Sequence, residues 1–271
     1  MLNHHRACAV VLVVLIVVLL ALSPCAALAD DASVEALQEA VMSVAEDASQ
    51  SIVVINVYHE PTNRPSSSMF TGGYKPLLEA QGSGIVVYEG VVLTCWHILQ
   101  GRGDFTVSAA DDVETELAAT LIAVDEVRDL ALLRVEGLNA PPVRLGDSDA
   151  LRLGQFVVCV SNPASSRLAA SVSFGVVSGL DRKLQSSNVK GETVTLFQTD
   201  AAINGGSSGG GIFDLRGELV GIVSRKYVGA NGSDIQLEGL GMCIPINEAV
   251  EQILFSPIEL PNSGHTTLID Y

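Results

Sequence analysis

A glycine-rich segment with serines in its middle is the part of the chain best suited to chemistry. Residues 204–211 read Asn-Gly-Gly-Ser-Ser-Gly-Gly-Gly and precede the apolar pair Ile212 and Phe213. Glycine adopts positive φ values easily, so such a loop is able to turn several backbone N–H groups toward one point. With the hydroxyl of Ser208 at that point, the loop offers a nucleophile and donors for the oxyanion that its attack creates. Taken alone, the same composition is also typical of a flexible linker.

A serine nucleophile needs a general base, because its hydroxyl is weakly reactive at neutral pH. Among the five histidines, His97 stands just past the end of an apolar run and is the best candidate. The other four lie in the first six residues, in a breaker-rich loop and in the polar tail: His4, His5, His59 and His265. The base needs a carboxylate that holds its tautomer. Asp125 and Asp129 are the best placed, and Asp129 directly precedes an apolar strand.

Short strands separated by turns have to position these side chains. Apolar and β-branched runs occupy residues 51–58, 83–88, 91–95, 104–108, 114–124 and 130–135, and then 155–160, 170–178, 193–199, 218–224 and 240–244. The linker 138–142 separates the two sets, which predicts two all-β lobes with a cleft between them. The spacing of apolar residues predicts helices over 34–48 and 247–255, and the breakers predict a long surface loop over 59–80.

Composition limits the classes of protein that the chain represents. With 48% apolar residues among 271, the chain has enough material for a substantial core, and its formal charge of −16 argues against nucleic acid and anionic membrane surfaces as partners. Three cysteines lie beyond residue 29, namely Cys95, Cys159 and Cys243, and all occur in apolar runs. They lack Cys-x-x-Cys spacing, so we expect buried free thiols rather than a metal site or a disulfide framework.

The first 29 residues are typical of an export signal. A polar start ending in Arg6 precedes the apolar run 7–22, and Ala27-Leu28-Ala29 offers a cleavage site before Asp30. The uncharged stretch 7–29 is just long enough to span a bilayer, so an uncleaved membrane anchor is the alternative. In both cases the sequence predicts an exported protein, periplasmic or extracellular.

Three segments, in this order, resemble the active-site segments of trypsin-fold serine proteases, and more narrowly those of the HtrA/Deg family. They are Thr94-Cys95-Trp96-His97, Asp129-Leu130-Ala131-Leu132-Leu133, and Thr199-Asp200-Ala201-Ala202-Ile203-Asn204 leading into Gly206-Ser207-Ser208-Gly209-Gly210. Gly82-Ser83-Gly84, Ser161-Asn162-Pro163 and Pro245-Ile246-Asn247 support the resemblance, which covers residues 34–255. The linker interpretation of the glycine-rich segment is therefore abandoned.

The resemblance implies an all-β fold of two six-stranded antiparallel barrels with an N-terminal helix and a short C-terminal helix. The protease domain would occupy 51–255, with lobes at about 51–138 and 142–255. A signal or anchor would precede it at 1–29, a helical segment at 30–50, and a polar tail would follow at 256–271. Most members carry a PDZ domain after the protease domain, and we expect this one to lack it.

The resemblance also assigns roles to individual residues. It implies that His97 is the general base and acid, Asp129 its orienting partner and Ser208 the nucleophile. The backbone amides of Gly206 and Ser208 would form the oxyanion hole. Ala202 stands where trypsin itself carries an aspartate, which implies an apolar primary pocket that accepts small or medium aliphatic side chains.

The chain departs from the family pattern inside this loop. Gly205 and Gly211 replace prolines, Ser207 replaces an asparagine, and Ser161 stands where glycine is usual. Glycine leaves an unfolded loop freer than proline does, by about 0.5–1 kcal/mol for each position. The resemblance therefore leaves open whether the loop is preorganised at rest.

The function that the resemblance implies is that of an exported serine endopeptidase acting through an acyl-enzyme on unfolded or extended proteins, in protein quality control or regulated proteolysis. It implies no cofactor and no metal, and polypeptides as the partners. Because such enzymes commonly form trimers, a homotrimer is a further hypothesis. The alternative is a catalytically quiescent protein of the same fold that binds polypeptides in a chaperone-like way.

Overall fold

The computed structural model describes residues 25–59, 77–101, 103–163, 166–226 and 238–254. Most of the predicted export signal, the greater part of the predicted 59–80 loop and the polar tail lie outside these ranges. The chain divides into one unit up to Met42 and a second unit from Ser43 onward. Among the helices of the described residues, none combines the length and the apolar character that crossing a membrane requires. Export and anchoring by the first 29 residues stay predictions, because residues 1–24 lie outside the described ranges.

Helix α1, Cys25–Ser49, contains the helix predicted over 34–48. Its last turns bury Val44 and Ala48, which belong to the second unit. All strands of the structure follow α1 in that same second unit.

The first lobe is a closed barrel of six strands in the order β1-β2-β3-β6-β5-β4. The strands are β1 Ile52–His59, β2 Leu77–Tyr88, β3 Val91–Cys95, β4 Asp104–Ala109, β5 Asp112–Asp125 and β6 Leu130–Val135. Apolar residues of these strands form the core of the barrel, and Ile52, Ile55, Ile85 and Leu93 are fully buried. The predicted surface loop is wrong at its end, because residues 77–80 extend β2 by pairing with β1.

The second lobe closes in the same way. Its strands are β7 Arg144–Leu145, β8 Phe156–Ser161, β9 Ser171–Gln185, β10 Thr193–Thr199, β11 Gly211–Phe213, β12 Glu218–Lys226 and β13 Gly241–Pro245. β11 pairs with both β8 and β12, which closes six strands, and β7 adds a short parallel pair to β12. The predicted fold of two six-stranded antiparallel barrels is confirmed. β7 and β11 escaped prediction because two or three residues are too few to show a period of two.

Two short helices follow strands of the two lobes. Helix α2, Trp96–Leu99, follows β3 directly, and helix α3, Ile246–Ala249, continues as one π-helical turn over Val250–Leu254. The predicted closing helix is therefore present at 246–254. Glu248 of α3 accepts a hydrogen bond of 2.7 Å from Arg128 Nε, which ties the end of the second lobe to the turn before β6.

The three thiols beyond residue 29, Cys95, Cys159 and Cys243, are buried and unpaired, as predicted. Cys159 and Cys243 belong to the core of the second barrel, together with Phe197 and Ile212. Burial raises the pKa of Cys159 to about 11 and raises that of Cys243 well above its usual value. At neutral pH both are protonated side chains that fill space like other small apolar residues.

Candidate active site

Asp129 and His97 meet because the register between β3 and β6 brings their flanking residues together. Cys95, the last residue of β3, lies opposite Leu130, the first residue of β6. One step beyond this pair, Trp96 N donates to the Asp129 carbonyl at 3.0 Å. His97 N donates to Asp129 Oδ1 at 2.8 Å, and His97 Nδ1 lies 2.6 Å from Oδ2. A carboxylate on Nδ1 places the imidazole proton there and leaves Nε2 as a hydrogen-bond acceptor.

Asp129 has an unusual backbone. Its φ is 65°, in the left-handed region that costs energy for a residue other than glycine, and it is buried with only 6% exposure. The side chain offsets this cost through its hydrogen bonds, including one of 2.9 Å from Asn188 Nδ2 to Oδ1. Asp125, the alternative orienting residue, instead accepts from the backbone N of Arg128 at 3.0 Å and from its Nη1 at 3.1 Å. Asp125 thus shapes the turn, and Asp129 contacts the histidine.

The glycine-rich loop begins with a type II turn. Ser207 N donates to the Asn204 carbonyl at 3.0 Å. The φ of Gly206 is 87°, whereas the φ of Gly205 is not positive. A positive φ at the third turn residue alone defines type II, and it orients the Gly205–Gly206 peptide opposite to its direction in type I. Within the described residues, the backbone N–H groups of Gly206 and Ser208 donate to no other group of the chain. Both amides of the turn are therefore unengaged within the described residues.

Ser83 joins this loop to the first lobe. Its backbone N donates to the Ser208 carbonyl at 2.9 Å, and its Oγ donates to the Gly206 carbonyl at 2.8 Å. The same Oγ accepts from the backbone N of Asn162 at 2.8 Å, and the Ser83 carbonyl accepts from Thr94 Oγ1 at 2.7 Å. Ser83 is fully buried, so these hydrogen bonds are shielded from water. The contact fixes the backbone on both sides of Ser207 against β2.

Gly209 allows this approach. A Cβ at this position would overlap the Ser83 carbonyl oxygen and lie 2.5 Å from Thr94 Oγ1, and its φ of 81° also disfavours any side chain. Its N–H donates to the Val223 carbonyl at 2.8 Å. The residue after Ser208 is thus held between the two lobes, next to the strand that leads into His97.

The hydroxyl of Ser208 is half-buried and donates to the Ser224 carbonyl at 2.9 Å. A hydroxyl carries one hydrogen, so this bond excludes simultaneous donation to an imidazole. The His97 side chain is 37% exposed. Transfer of the Ser208 proton to His97 therefore requires a rotation of the serine side chain.

The neighbouring serine has a different environment. Ser207 is 1% exposed, and its Oγ accepts from Ser161 Oγ at 3.0 Å and from Asn204 N at 3.3 Å. These contacts give Ser207 a structural role inside the loop. The assignment of Ser208, and not Ser207, as the nucleophile stays a prediction.

The predicted pocket residue Ala202 is exposed between two buried apolar residues, Ala201 and Ile203. Its carbonyl accepts from Ser173 Oγ at 3.0 Å. Asp200 holds the same segment to β9, because its Oδ1 accepts from Val176 N at 2.7 Å. The segment is therefore anchored to the second barrel by polar contacts, and Ala201 and Ile203 pack in the core of that barrel.

Cys95, His97 and Asp129 are close enough together to raise the question of a metal ion. Two ligand atoms on one zinc ion, each about 2.0–2.2 Å from the metal, would stand more than about 3 Å apart at tetrahedral angles. His97 Nδ1 and Asp129 Oδ2 are only 2.6 Å apart, which is the distance of a short hydrogen bond. Burial, and then the Asp129 charge, raise the pKa of the Cys95 thiol well above its usual value. The cluster is a hydrogen-bonded pair beside a neutral thiol.

Sequence reasoning missed three residues of the site: Asn188, Ser224 and the hydrogen-bonding role of Ser83. Asn188 lies in a polar hairpin loop with no motif, and Ser224 contributes its backbone carbonyl, which any residue type supplies. Ser83 stood in a noted supporting motif, but its two contacts depend on how the lobes dock. Only its position between two glycines in an apolar run hinted at a close approach.

The site combines a histidine and an aspartate from the first barrel with a serine on a glycine turn of the second barrel. This arrangement defines the class of two-barrel serine peptidase folds. Residues 82–222 match the family described as trypsin-like peptidase domain. Because this match covers more than half of the chain, the chain belongs to the trypsin-like peptidase domain family.

Individual relatives narrow the comparison. The serine protease Do-like HtrA of Bacillus subtilis is 34% identical over 242 residues, which cover 84% of this chain and 52% of that protein. The probable periplasmic serine endoprotease DegP-like of Ectopseudomonas mendocina is 38% identical over 181 residues, 66% of this chain and 36% of that protein. The solved structure of the HtrA-type protease AlgW with a tripeptide superposes with a TM-score of 0.63 at 28% identity, over 81% of this chain and 64% of that one.

These comparisons confirm the predicted resemblance to HtrA/Deg proteins. The matched region spans about half of the Bacillus protein and about a third of the Ectopseudomonas one.

Proposed function

We propose that the chain is a serine endopeptidase that hydrolyses peptide bonds in unfolded or extended polypeptides through an acyl-enzyme. The observation that carries the proposal is the 2.6 Å contact between His97 Nδ1 and Asp129 Oδ2, which leaves Nε2 to act as a base. The ordered type II turn before Ser208 supports it, because such a turn presents backbone donors without further rearrangement. The serine protease names of the relatives support it independently.

Each step of the reaction has a named group. The Ser208 hydroxyl turns from the Ser224 carbonyl, gives its proton to His97 Nε2, and attacks the substrate carbonyl carbon through Oγ. Asp129 stabilises the imidazolium, and the amides of Gly206 and Ser208 bind the oxyanion, each contributing about 3 kcal/mol. His97 then protonates the leaving amine as the C–N bond breaks. Water, deprotonated by His97, hydrolyses the ester and restores the serine.

The surroundings of the turn support an extended apolar substrate. Ala202, exposed beside the buried Ile203, would form a small apolar pocket for the residue before the scissile bond. A groove of about 430 Å³ lies between residues 78–81 of β2 and residues 204–206 of the turn, and Leu78 there is 50% exposed. We place the segment after the scissile bond in this groove, because it opens next to the proposed oxyanion site.

The proposal includes an exported location and a homotrimer. The signal-like first 29 residues and the periplasmic names of several relatives support export. An exposed aromatic pair on the second barrel supports self-association: Phe156 and Phe174 stack with centroids 5.1 Å apart while 40% and 42% exposed. Exposed aromatic clusters of this kind commonly mark protein interfaces.

A fluorophosphonate probe tests the proposed activity, because it reacts covalently with activated serines. We expect labelling of the full chain at Ser208, none in Ser208→Ala, and retained labelling in Ser207→Ala, which serves as the matched control. Cleavage of an unfolded protein substrate should follow the same order. A folded wild-type chain that is neither labelled nor active would overturn the proposal in favour of a polypeptide-binding protein.

A further inference from the structure

We propose that Asn188, in the hairpin loop between β9 and β10, is a positioning residue that holds the Asp129 carboxylate in line with His97. The inference rests on the proposed serine endopeptidase function, because it concerns the same Asp129–His97 pair. The contact joins two lobes: Asn188 belongs to the second barrel and Asp129 to the first. Correct placement of the carboxylate is therefore tied to the docking of one lobe on the other.

Both hydrogens of the Asn188 side-chain amide are used on the turn before β6. Nδ2 donates to Asp129 Oδ1 at 2.9 Å and to the Glu126 carbonyl at 3.2 Å. Because one amide group donates to two acceptors, both its position and its plane are set. The Asn188 side chain is half-buried. Asn188 thus binds the carboxylate and the backbone of the same turn together.

The loop that carries Asn188 is docked by a second contact of its own. Ser186 Oγ donates to the Val127 carbonyl at 2.8 Å, and it accepts from the backbone N of Asn188 at 3.4 Å and of Val189 at 3.3 Å. At the base of the loop, Ser186 N donates to the Glu192 carbonyl at 2.8 Å. The loop therefore has a fixed shape, and Ser186 offers a matched control that touches the turn but not Asp129.

The Asp129 carboxylate needs a second hydrogen-bond donor because the backbone of Asp129 is strained. Its backbone φ of 65° is unfavourable, so the hydrogen bonds of its carboxylate have to keep it in place. Oδ1 receives His97 N and Asn188 Nδ2, which keeps Oδ2 directed at His97 Nδ1. Loss of the asparagine donor would free the carboxylate to turn and would leave its charge less compensated.

Other polar groups around the pair have their own partners. The Cys95 thiol, within 4.8 Å of the ligating atoms of His97 and Asp129, stays protonated because burial and the Asp129 charge raise its pKa. Arg128 pairs with Asp125 and Glu248, at 3.1 and 2.7 Å. The Arg225 guanidinium donates to the Gln185 carbonyl at the base of the loop at 3.1 Å. Asn188 is thus a neutral donor whose exchange for a charge acts directly on Asp129.

The test is an NMR titration of the His97 imidazole in the full chain, with its signal assigned by its loss in His97→Asn. Asn188→Asp keeps the shape of the side chain, removes both donors and adds a negative charge. We expect it to raise the pKa of His97 by about one unit. Ser186→Ala, which disturbs the same loop, should leave that pKa within about 0.2 units. Asn188→Ala should lower kcat by about 10- to 100-fold with KM within about twofold.

An unchanged His97 pKa in Asn188→Asp, or an equal shift in Ser186→Ala, would overturn the inference and leave Asn188 as a packing contact. The titration needs no turnover, so it separates two failures. If the wild-type chain resists fluorophosphonate while the His97 pKa responds to Asn188→Asp, the peptidase proposal fails and the positioning role stands. If labelling is normal and the pKa does not respond, the positioning role fails alone.

Discussion

Ser161 and Ser207 form one buried hydrogen bond beneath the glycine turn, with 3.0 Å between their Oγ atoms. These are two of the positions at which the chain departs from the HtrA/Deg pattern, which favours glycine at the first and asparagine at the second. The space beneath the loop is tight, because a Cβ on Gly210 would lie 2.5 Å from the Ser161 Cβ. The two departures are therefore coupled, because the two serine side chains bond to each other in a tightly packed space.

Replacing both serines together should cost less than the sum of the single changes. Ser207→Asn alone has to fit a larger side chain against Ser161, and Ser161→Gly alone removes the donor to Ser207. The double variant restores the family pair, so we expect a coupling free energy of about 1 kcal/mol or more. Urea unfolding of the four chains measures it. Additivity of the two single effects would show that the hydrogen bond joins independent sites.

The two glycines that replace prolines should respond oppositely to proline. Gly205 is the second residue of the type II turn, where proline is favoured, and a Cβ there meets nothing within 4 Å. We expect Gly205→Pro to stabilise the folded chain by about 0.4–1 kcal/mol and to accelerate fluorophosphonate labelling.

Gly211 provides the contrast within the same loop. A Cβ there would overlap the Phe213 ring and lie 3.1 Å from Leu219, and β11 pairs on both sides. Gly211→Pro should therefore destabilise the fold by several kcal/mol, at or above the ~3 kcal/mol that a misplaced proline costs. Thermal unfolding distinguishes the pair of variants. Equal effects of proline at both sites would contradict the turn assignment.

We expect the stacked pair Phe156–Phe174 to form the interface between the subunits of the proposed trimer. A charge in an apolar interface is unpaired and desolvated, so Phe174→Asp is expected to reduce a trimer to monomers in light scattering. Leu153→Asp is the control, because Leu153 lies on the same lobe and is more exposed, at 66%. A monomeric wild-type chain at working concentration would refute the trimer, and a trimeric Phe174→Asp would move the interface elsewhere.

Buried thiols should make the protein sensitive to alkali. The pKa of Cys159 is raised from 9.0 to about 11 by burial, so the folded state retains a proton that the unfolded state has lost. This contribution is complete below about pH 9 and disappears as the pH rises through about 11, at up to about 1.4 kcal/mol per pH unit. Between about pH 8 and 10.5, Cys159→Ala should lose less free energy of unfolding than the wild type. Equal losses would place the alkaline sensitivity in other groups.

Alternation of apolar residues predicted most strands of both barrels, and β3, β6 and β10 have the predicted bounds. The start of β2 was mistaken for loop because Leu77 and Leu78 are exposed, so burial imposes no clear pattern there. Pairing with β1, the preceding strand, extends β2 back to Leu77.

The sequence by itself determined the candidate residues of the site. His97, Asp129 and Ser208 are recognisable because each stands in a short motif next to a strand, and the order of the motifs limits the folds that bring them together. The type of a side chain and its neighbours along the chain can be read directly from the sequence, without the fold.

Tertiary structure decided the geometry of the site. The 2.6 Å contact of His97 with Asp129 follows from the register of β3 and β6, and the type II turn before Ser208 follows from φ at Gly206. Asn188 reaches Asp129 across 59 residues of sequence, through the docking of two lobes. Register and docking arise from the packing of many residues at once, and no single motif encodes them.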